Sequence, residues 1–352
     1  MKKKKYYCLY PSGLNLDKIL MNYPPDFNFN KDYLFWLISE VSTKLTYKMK
    51  EDDQDCWVRL CSSIMKYHPY SYNEHLKYLI NEEANGGILW GKKYSKGKCF
   101  SYRLADKYFM NTLNVHEITD FKLLKYINKT RNQQVVSNNK FKKKYNFLAK
   151  YFESGQLKID VNGALGENHN LFKSNPNPVE GLLKQRLNAI HITKISNENY
   201  SLTYSYKTDG RIHSLITNLN KDLRKYITYG DKKLAEVDVK SSVPTFFYYI
   251  IKELYNDRKN PDLIKILSNI SGYHHMCEKR LKSIDIASIE SFGSQILNGT
   301  FYESFYGDYK KNDSELELRK EVKKDILAMM FAGNSSFIKI FKKYSENITL
   351  IY

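Results

Sequence analysis

Asp238 is flanked by valines in the short apolar run Leu234-Ala235-Glu236-Val237-Asp238-Val239, which reads as a strand broken by Ser241, Ser242 and Pro244. A carboxylate in that setting is costly unless it pairs or binds a metal ion. Asp238 is therefore a candidate metal ligand, with the Val239 carbonyl beside it. Further on, Arg319, Lys323, Leu327 and Phe331 stand four apart and form one slanted row on a helix face. Two cations followed by two hydrophobes could hold the phosphates and the base of a nucleoside triphosphate. A row of this kind standing alone is far more often the solvated side of a plain amphipathic helix. Upstream lies a turn, Thr208-Asp209-Gly210, then Arg211, His213, Ser214 and Asn218, groups suited to a sugar-phosphate backbone. His213 is equally an ordinary turn residue.

Taken together and in this order, the three motifs resemble the polymerase core of family A DNA polymerases and the related single-subunit phage RNA polymerases. That family carries a T-G-R-L-S-S turn with an Asn seven residues after its Arg; Asp209 to Ser214 and Asn218 fit it. Its first catalytic motif is a hydrophobic strand ending in a metal-binding Asp, matched by Leu234 to Asp238. Its second is a helix with Arg, Lys, an apolar and an aromatic residue at steps of four, matched by Arg319, Lys323, Leu327 and Phe331, with Ala332-Gly333 displacing the Gly by one. The resemblance spans roughly residues 185–345. It implies Mg2+ at Asp238 and Val239, triphosphate binding by Arg319 and Lys323, and stacking by Leu327 and Phe331. Primer–template contact would come from Arg211, His213 and Asn218.

The departures matter. The family's D-Y-S-Q-I-E becomes Asp238-Val239-Lys240-Ser241-Ser242-Val243, without the Glu that reads the sugar. The His-Asp of a third motif is not found; the last aspartate is Asp325, on the helix itself. Two-metal phosphoryl transfer needs a second carboxylate. The apolar ending Ile348 to Tyr352 reads as a truncated copy. The first function expected is thus a template-directed nucleotidyltransferase of a phage or mobile element lacking its second metal-binding motif. The alternative is a non-catalytic nucleic-acid-binding replication initiator or regulator.

The elements that must position these groups read as α+β, mostly helical, in three parts. Residues 1–110 form an N-terminal winged-helix-like module, 111–180 a helical, basic connector, and 181–352 an incomplete palm/fingers-like region. Within the module, Cys56 to Lys66 is apolar at helical spacing and Ser71 to Glu83 is a second helix. Ile88-Leu89-Trp90 and Phe100 to Leu104 then form a hairpin whose tip carries Lys92, Lys93, Lys96 and Lys98, the candidate DNA contacts. Any small α+β cap with a basic hairpin fits equally well.

Composition points the same way. The chain has 352 residues and a net charge of +18, with 30 Tyr and 18 Phe interleaved among the cations. Cations with aromatics suit phosphates and unstacked bases, so DNA and nucleoside triphosphates are the expected partners, ahead of a membrane surface. A Lys- and Tyr-rich composition also follows from AT-rich coding. Five cysteines form no CxxC pair, which argues against zinc and, as free thiols, for a reducing cytoplasmic compartment. No run is long enough to span a membrane. Adjacent His274 and His275 point to different helix faces and read as surface. There is no P-loop and no Ser/His/Asp arrangement.

Overall fold

The computed structural model describes residues 5–51, 56–61, 65, 67–81, 87–92, 99–135, 139–200, 202–204, 212–239, 241–257, 262, 286–308 and 314–331. Over these residues the chain is mixed α+β and mostly helical. It divides into two compact units, Met1–Ala235 and Glu236–Tyr352, a boundary that falls inside the stretch read from sequence as one palm/fingers-like region.

The first unit opens with β1 (Tyr6–Pro11), α1 (Leu16–Asn22) and α2 (Lys31–Lys50). Asn30 caps α2, its side chain accepting from the Tyr33 N–H at 2.9 Å. Leu34, Leu37, Ile38, Val41 and Leu45 form the buried stripe of α2. Asp32, at the start of the helix, does more than help its terminus. Its carboxylate accepts from the N–H groups of Thr119 (2.6 Å) and Asp120 (2.7 Å) and contacts Nε2 of His116 at 2.7 Å.

Next come β2 (Val58–Arg59), α3 (Tyr72–Ile80), β3 (Leu89–Lys92) and β4 (Ser101–Leu104). They form an antiparallel sheet of order β2-β4-β3. The helix expected over 56–66 gives way to β2 at its start, because pairing with β4 (Val58 opposite Tyr102) outweighs the local helical pattern. The returning hairpin expected around the basic tip is present: Leu89 faces Leu104 and Lys92 faces Ser101. His75 on α3 is fully buried and structural, accepting from the Asn30 N–H and bonding the Ser71 carbonyl.

The stretch read as connector supplies framework. β5 (Leu113–Ile118) pairs along the whole of β1, and α4 (Phe121–Val135) and α5 (Asn146–Glu153) follow. β6 (Leu157–Ile159) leads into α6 (Val161–Lys173) and α7 (Pro178–Ser196). α6 runs through to Lys173, with Asn168 buried within it. β7 (Thr203–Tyr204) pairs with β8 (Ile212–His213). β9 (Ile227–Tyr229) sits between β6 and β10 (Lys232–Lys233).

In the second unit α8 (Ser242–Asn256), α9 (Ile286–Asn298) and α10 (Glu315–Phe331) pack around Tyr248, Ile296, Phe301, Tyr302, Phe305 and Val322. A side chain at Gly293 would collide with the ring of Tyr248, so only glycine allows that ring to lie against α9. Leu234 to Val239, read as a strand from its valines, has no strand structure and is exposed throughout. A β pattern becomes a strand only where a partner edge is available, and among the described residues none pairs with it.

Candidate nucleic-acid interface

The motif residues fall into three places. The first is a recess of about 520 Å³ in the first unit, lined by the C-terminal end of α2, one face of α7 and the turn after β8. From α2 come Tyr47 and Lys50. From α7 come Lys184, Leu187, Asn188, His191 and Lys194, one helical face by their spacing. From the turn come His213, Leu215, Asn218 and Asn220. Among the described residues three lysines and two histidines line it, and no carboxylate does.

The chain builds this wall stiffly. Asn177 caps α7 by accepting from the N–H groups of Val179 and Glu180, with Pro178 in the first turn. On the buried side, Gln185 bonds both backbone groups of Leu113, accepting at 3.0 Å and donating at 3.2 Å. Asn197, just past the helix, does the same to Tyr7, at 2.9 and 2.8 Å. Arg186 is fully buried and donates to the carbonyls of Phe109 and Asn111 after a short helical turn. Burial pulls its pKa down to about 10, so it stays charged at neutral pH. Asn188 joins the turn to the helix: it donates to Asn168 and accepts from the Asn220 N–H. The turn is held by a capping box between Ser214 and Thr217.

Lys194 donates to the Tyr47 hydroxyl at 3.1 Å and lies 5.2 Å from its ring centroid. Lys184 pairs with Glu180 at 2.7 Å on the surface. Burial, with Lys194 and Lys50 nearby, pushes the His191 pKa down to about 4, against a hydrogen bond to the Asn218 backbone, so the ring is neutral at pH 7. Its Nδ1 is buried without a hydrogen-bond partner among the described residues. His213 and Asn218 thus meet four basic side chains that sequence reading did not single out, while Arg211 lies outside the described residues. The signal was present as the 184/187/188/191/194 spacing, hidden because the opposite face of α7 is also polar.

The second place is the β3–β4 hairpin. Nζ of Lys92 lies 5.7 Å from the Trp57 ring centroid. The Arg103 guanidinium lies 5.4 Å from Trp57 and 5.7 Å from Trp90, and Trp90 is exposed. Lys93, Lys96 and Lys98 lie outside the described residues.

The third place is in the second unit. Asp238 and Val239 are exposed, and Asp238 makes no hydrogen bond or ion pair among the described residues. Ser241, in the left-handed region at φ 48°, shares a hydrogen bond with Tyr302. The Arg319 guanidinium lies 5.5 Å from the Tyr302 ring centroid, and its Nε donates to Glu303 at 2.7 Å. Lys323 is exposed and Leu327 half-buried; the side chain of Phe331 lies outside the described residues. Among the described residues no group of three or more His, Cys, Asp or Glu comes together that could hold a metal ion.

Among the described residues no helix is long and apolar enough to cross a membrane. Neither the family models, nor the curated proteins, nor the solved structures contain a match to this chain.

Proposed function

We propose that the chain is a nucleic-acid-binding protein of a replication system, an initiator or regulator, gripping the sugar-phosphate backbone through its first unit. One observation carries this reading: the recess under α7 gathers three lysines, two histidines and two exposed or half-buried asparagines, with no carboxylate in its walls among the described residues. Converging cations without acids suit a polyanion, and the net charge of +18 supplies the long-range attraction. The hairpin supports it. Lys92 and Arg103 interleave with Trp57 and Trp90, a surface suited to phosphates and stacked bases. The order helix, strand, helix, hairpin, closed with β2 beside β4, favours reading residues 31–104 as winged-helix-like. The test is anisotropy of labelled single- and double-stranded DNA between 50 and 200 mM salt. Affinity should fall by about tenfold or more across that range. Undetectable binding, or binding indifferent to salt, overturns the proposal.

A second reading, kinship with template-directed nucleotidyltransferases, is favoured by one contact chain: Ser241, just beyond Asp238, bonds Tyr302, which lies under Arg319. Primer extension with Mg2+ tests it. No incorporation, or incorporation unchanged by Asp238→Ala, removes it.

A further inference from the structure

We infer that the solvent face of the β2-β4-β3 sheet is a stacking platform for a single nucleic-acid strand: an unstacked base lies on the Trp90 ring while the flanking phosphates meet Lys92 and Arg59. The inference rests on the nucleic-acid reading above and adds the strandedness of the partner and the ring that senses it. Register sets the face. Val58 stands opposite Tyr102 and Leu89 opposite Leu104, and all four are buried in the core of the first unit. The alternate positions therefore form the outer face. There Trp90 stands opposite Arg103, and Arg59 and Lys92 stand on either side of Ser101. Trp57 precedes the Val58–Tyr102 pair and flanks Arg103 from β2. Trp90 is 41% exposed, and Arg59 and Lys92 are exposed with it. The Trp90 ring is nonetheless held. The Arg103 guanidinium lies 5.7 Å from its centroid, and is itself fixed by Trp57, by Phe109 at 5.9 Å and by an ion pair with Asp106 at 2.9 Å. An indole held at the surface loses little freedom when a flat partner arrives. The next row sets the partner's charge. Arg59 and Lys92 lie on the two outer strands, about 10 Å apart at two strand spacings. Among the described residues of this outer face none is acidic; Asp106, which engages Arg103, follows β4. An indole beside two open cations suits a base and its phosphates. In a duplex the bases of each strand are stacked about 3.4 Å apart and cover one another's faces. Trp90 can therefore stack only on a base that has left the stack, which selects a single strand.

The test uses the full chain, a labelled mixed-sequence single-stranded oligonucleotide and the matching duplex. Trp90→Leu removes the stacking face from an exposed position and leaves the charge unchanged. It should weaken single-strand binding about tenfold more than duplex binding. Trp90→Thr, a strand-favouring residue without a ring, should show the same selective loss and serves if the leucine variant fails to fold. Trp90→Phe keeps a ring and should stay within about threefold of the parent chain on the single strand. Lys92→Gln with Arg59→Gln should lower the slope of log affinity against log salt by about 1.4 on the single strand, about 0.7 for each cation. Unchanged single-strand affinity in the ringless variants, an equal loss on the duplex, or an unaltered salt slope in the double variant overturns the inference while leaving general nucleic-acid binding intact. Binding of the parent chain to neither strand nor duplex overturns both readings.

Discussion

Replacing Lys50 and Lys184 together by glutamine should flatten the salt dependence of DNA binding by a calculable amount. Both lysines are exposed and line the recess, Lys50 at the end of α2 and Lys184 in the second turn of α7. Among the described residues Lys184 is held by a surface pair with Glu180, 58% and 54% exposed, which costs little to exchange for a phosphate. Each lysine that neutralises a phosphate contributes about 0.9 to the slope of log affinity against log salt on a duplex, and about 0.7 on a single strand. Raising salt fourfold therefore weakens binding by about 3.5-fold per lysine on duplex and about 2.6-fold on single strand. The double variant should lose about 12-fold less affinity than the parent chain over that rise on duplex, and about 7-fold less on single strand. Anisotropy titrations at four salt concentrations measure it. A control variant lacking Lys18 and Lys122, exposed and outside the recess, separates local contact from net charge. Parallel plots for the parent chain and the recess variant, or equal flattening in the control, would refute the assignment of phosphate contact to these walls.

Three further outcomes follow from the framework. Burial alone would raise the Asp32 pKa, but hydrogen bonds from His116, Thr119 and Asp120 outweigh it and hold it at about 2. Against an unfolded value of about 3.9 this contributes roughly 2–3 kcal/mol, present above pH ~4 and lost as pH falls through about 2. Asp32→Asn should remove that amount in urea unfolding at pH 7, with a smaller difference at pH 3; equal differences at both would contradict the linkage. Arg186→Met leaves the Phe109 and Asn111 carbonyls without their buried donor and should cost roughly 3 kcal/mol; a loss below about 1 kcal/mol would show that the site relaxes around it. Cys61 and Cys99 bring their sulfurs to 2.8 Å just beyond the β2–β4 pairing, where Leu60 bonds Phe100. Oxidised glutathione should join them, releasing two glutathione thiols and removing two hydrogens from the protein mass. Two thiols still titratable at these positions after equilibration would count against the pairing.

How much of this was legible can be seen element by element. The β3–β4 hairpin was legible as two short apolar runs on either side of a basic tip, because that signal is local. β1, β5 and β6 were missed; each is a short run that becomes a strand only through a distant partner, as Tyr6 does opposite Ile118. The working face of α7 was not legible. Gln185, Arg186 and Asn188 are buried by backbone carbonyls and amides from elsewhere, so polarity could not tell inside from outside. The Cys61–Cys99 approach was invisible for the same reason, since neither spacing nor a CxxC pattern encodes a cross-strand neighbour.

By itself, then, the sequence determined the charge, the aromatic content, the long helices and the order of the motif residues, all properties carried by near neighbours or by simple totals. The tertiary structure alone decided which cations converge. It drew Lys50, Lys184, Lys194 and His191 around His213 and Asn218, gave Arg319 a carboxylate, and left Asp238 exposed. Convergence depends on how helices and turns pack across long stretches of chain, and packing is settled by buried hydrogen bonds and shape that no local pattern records.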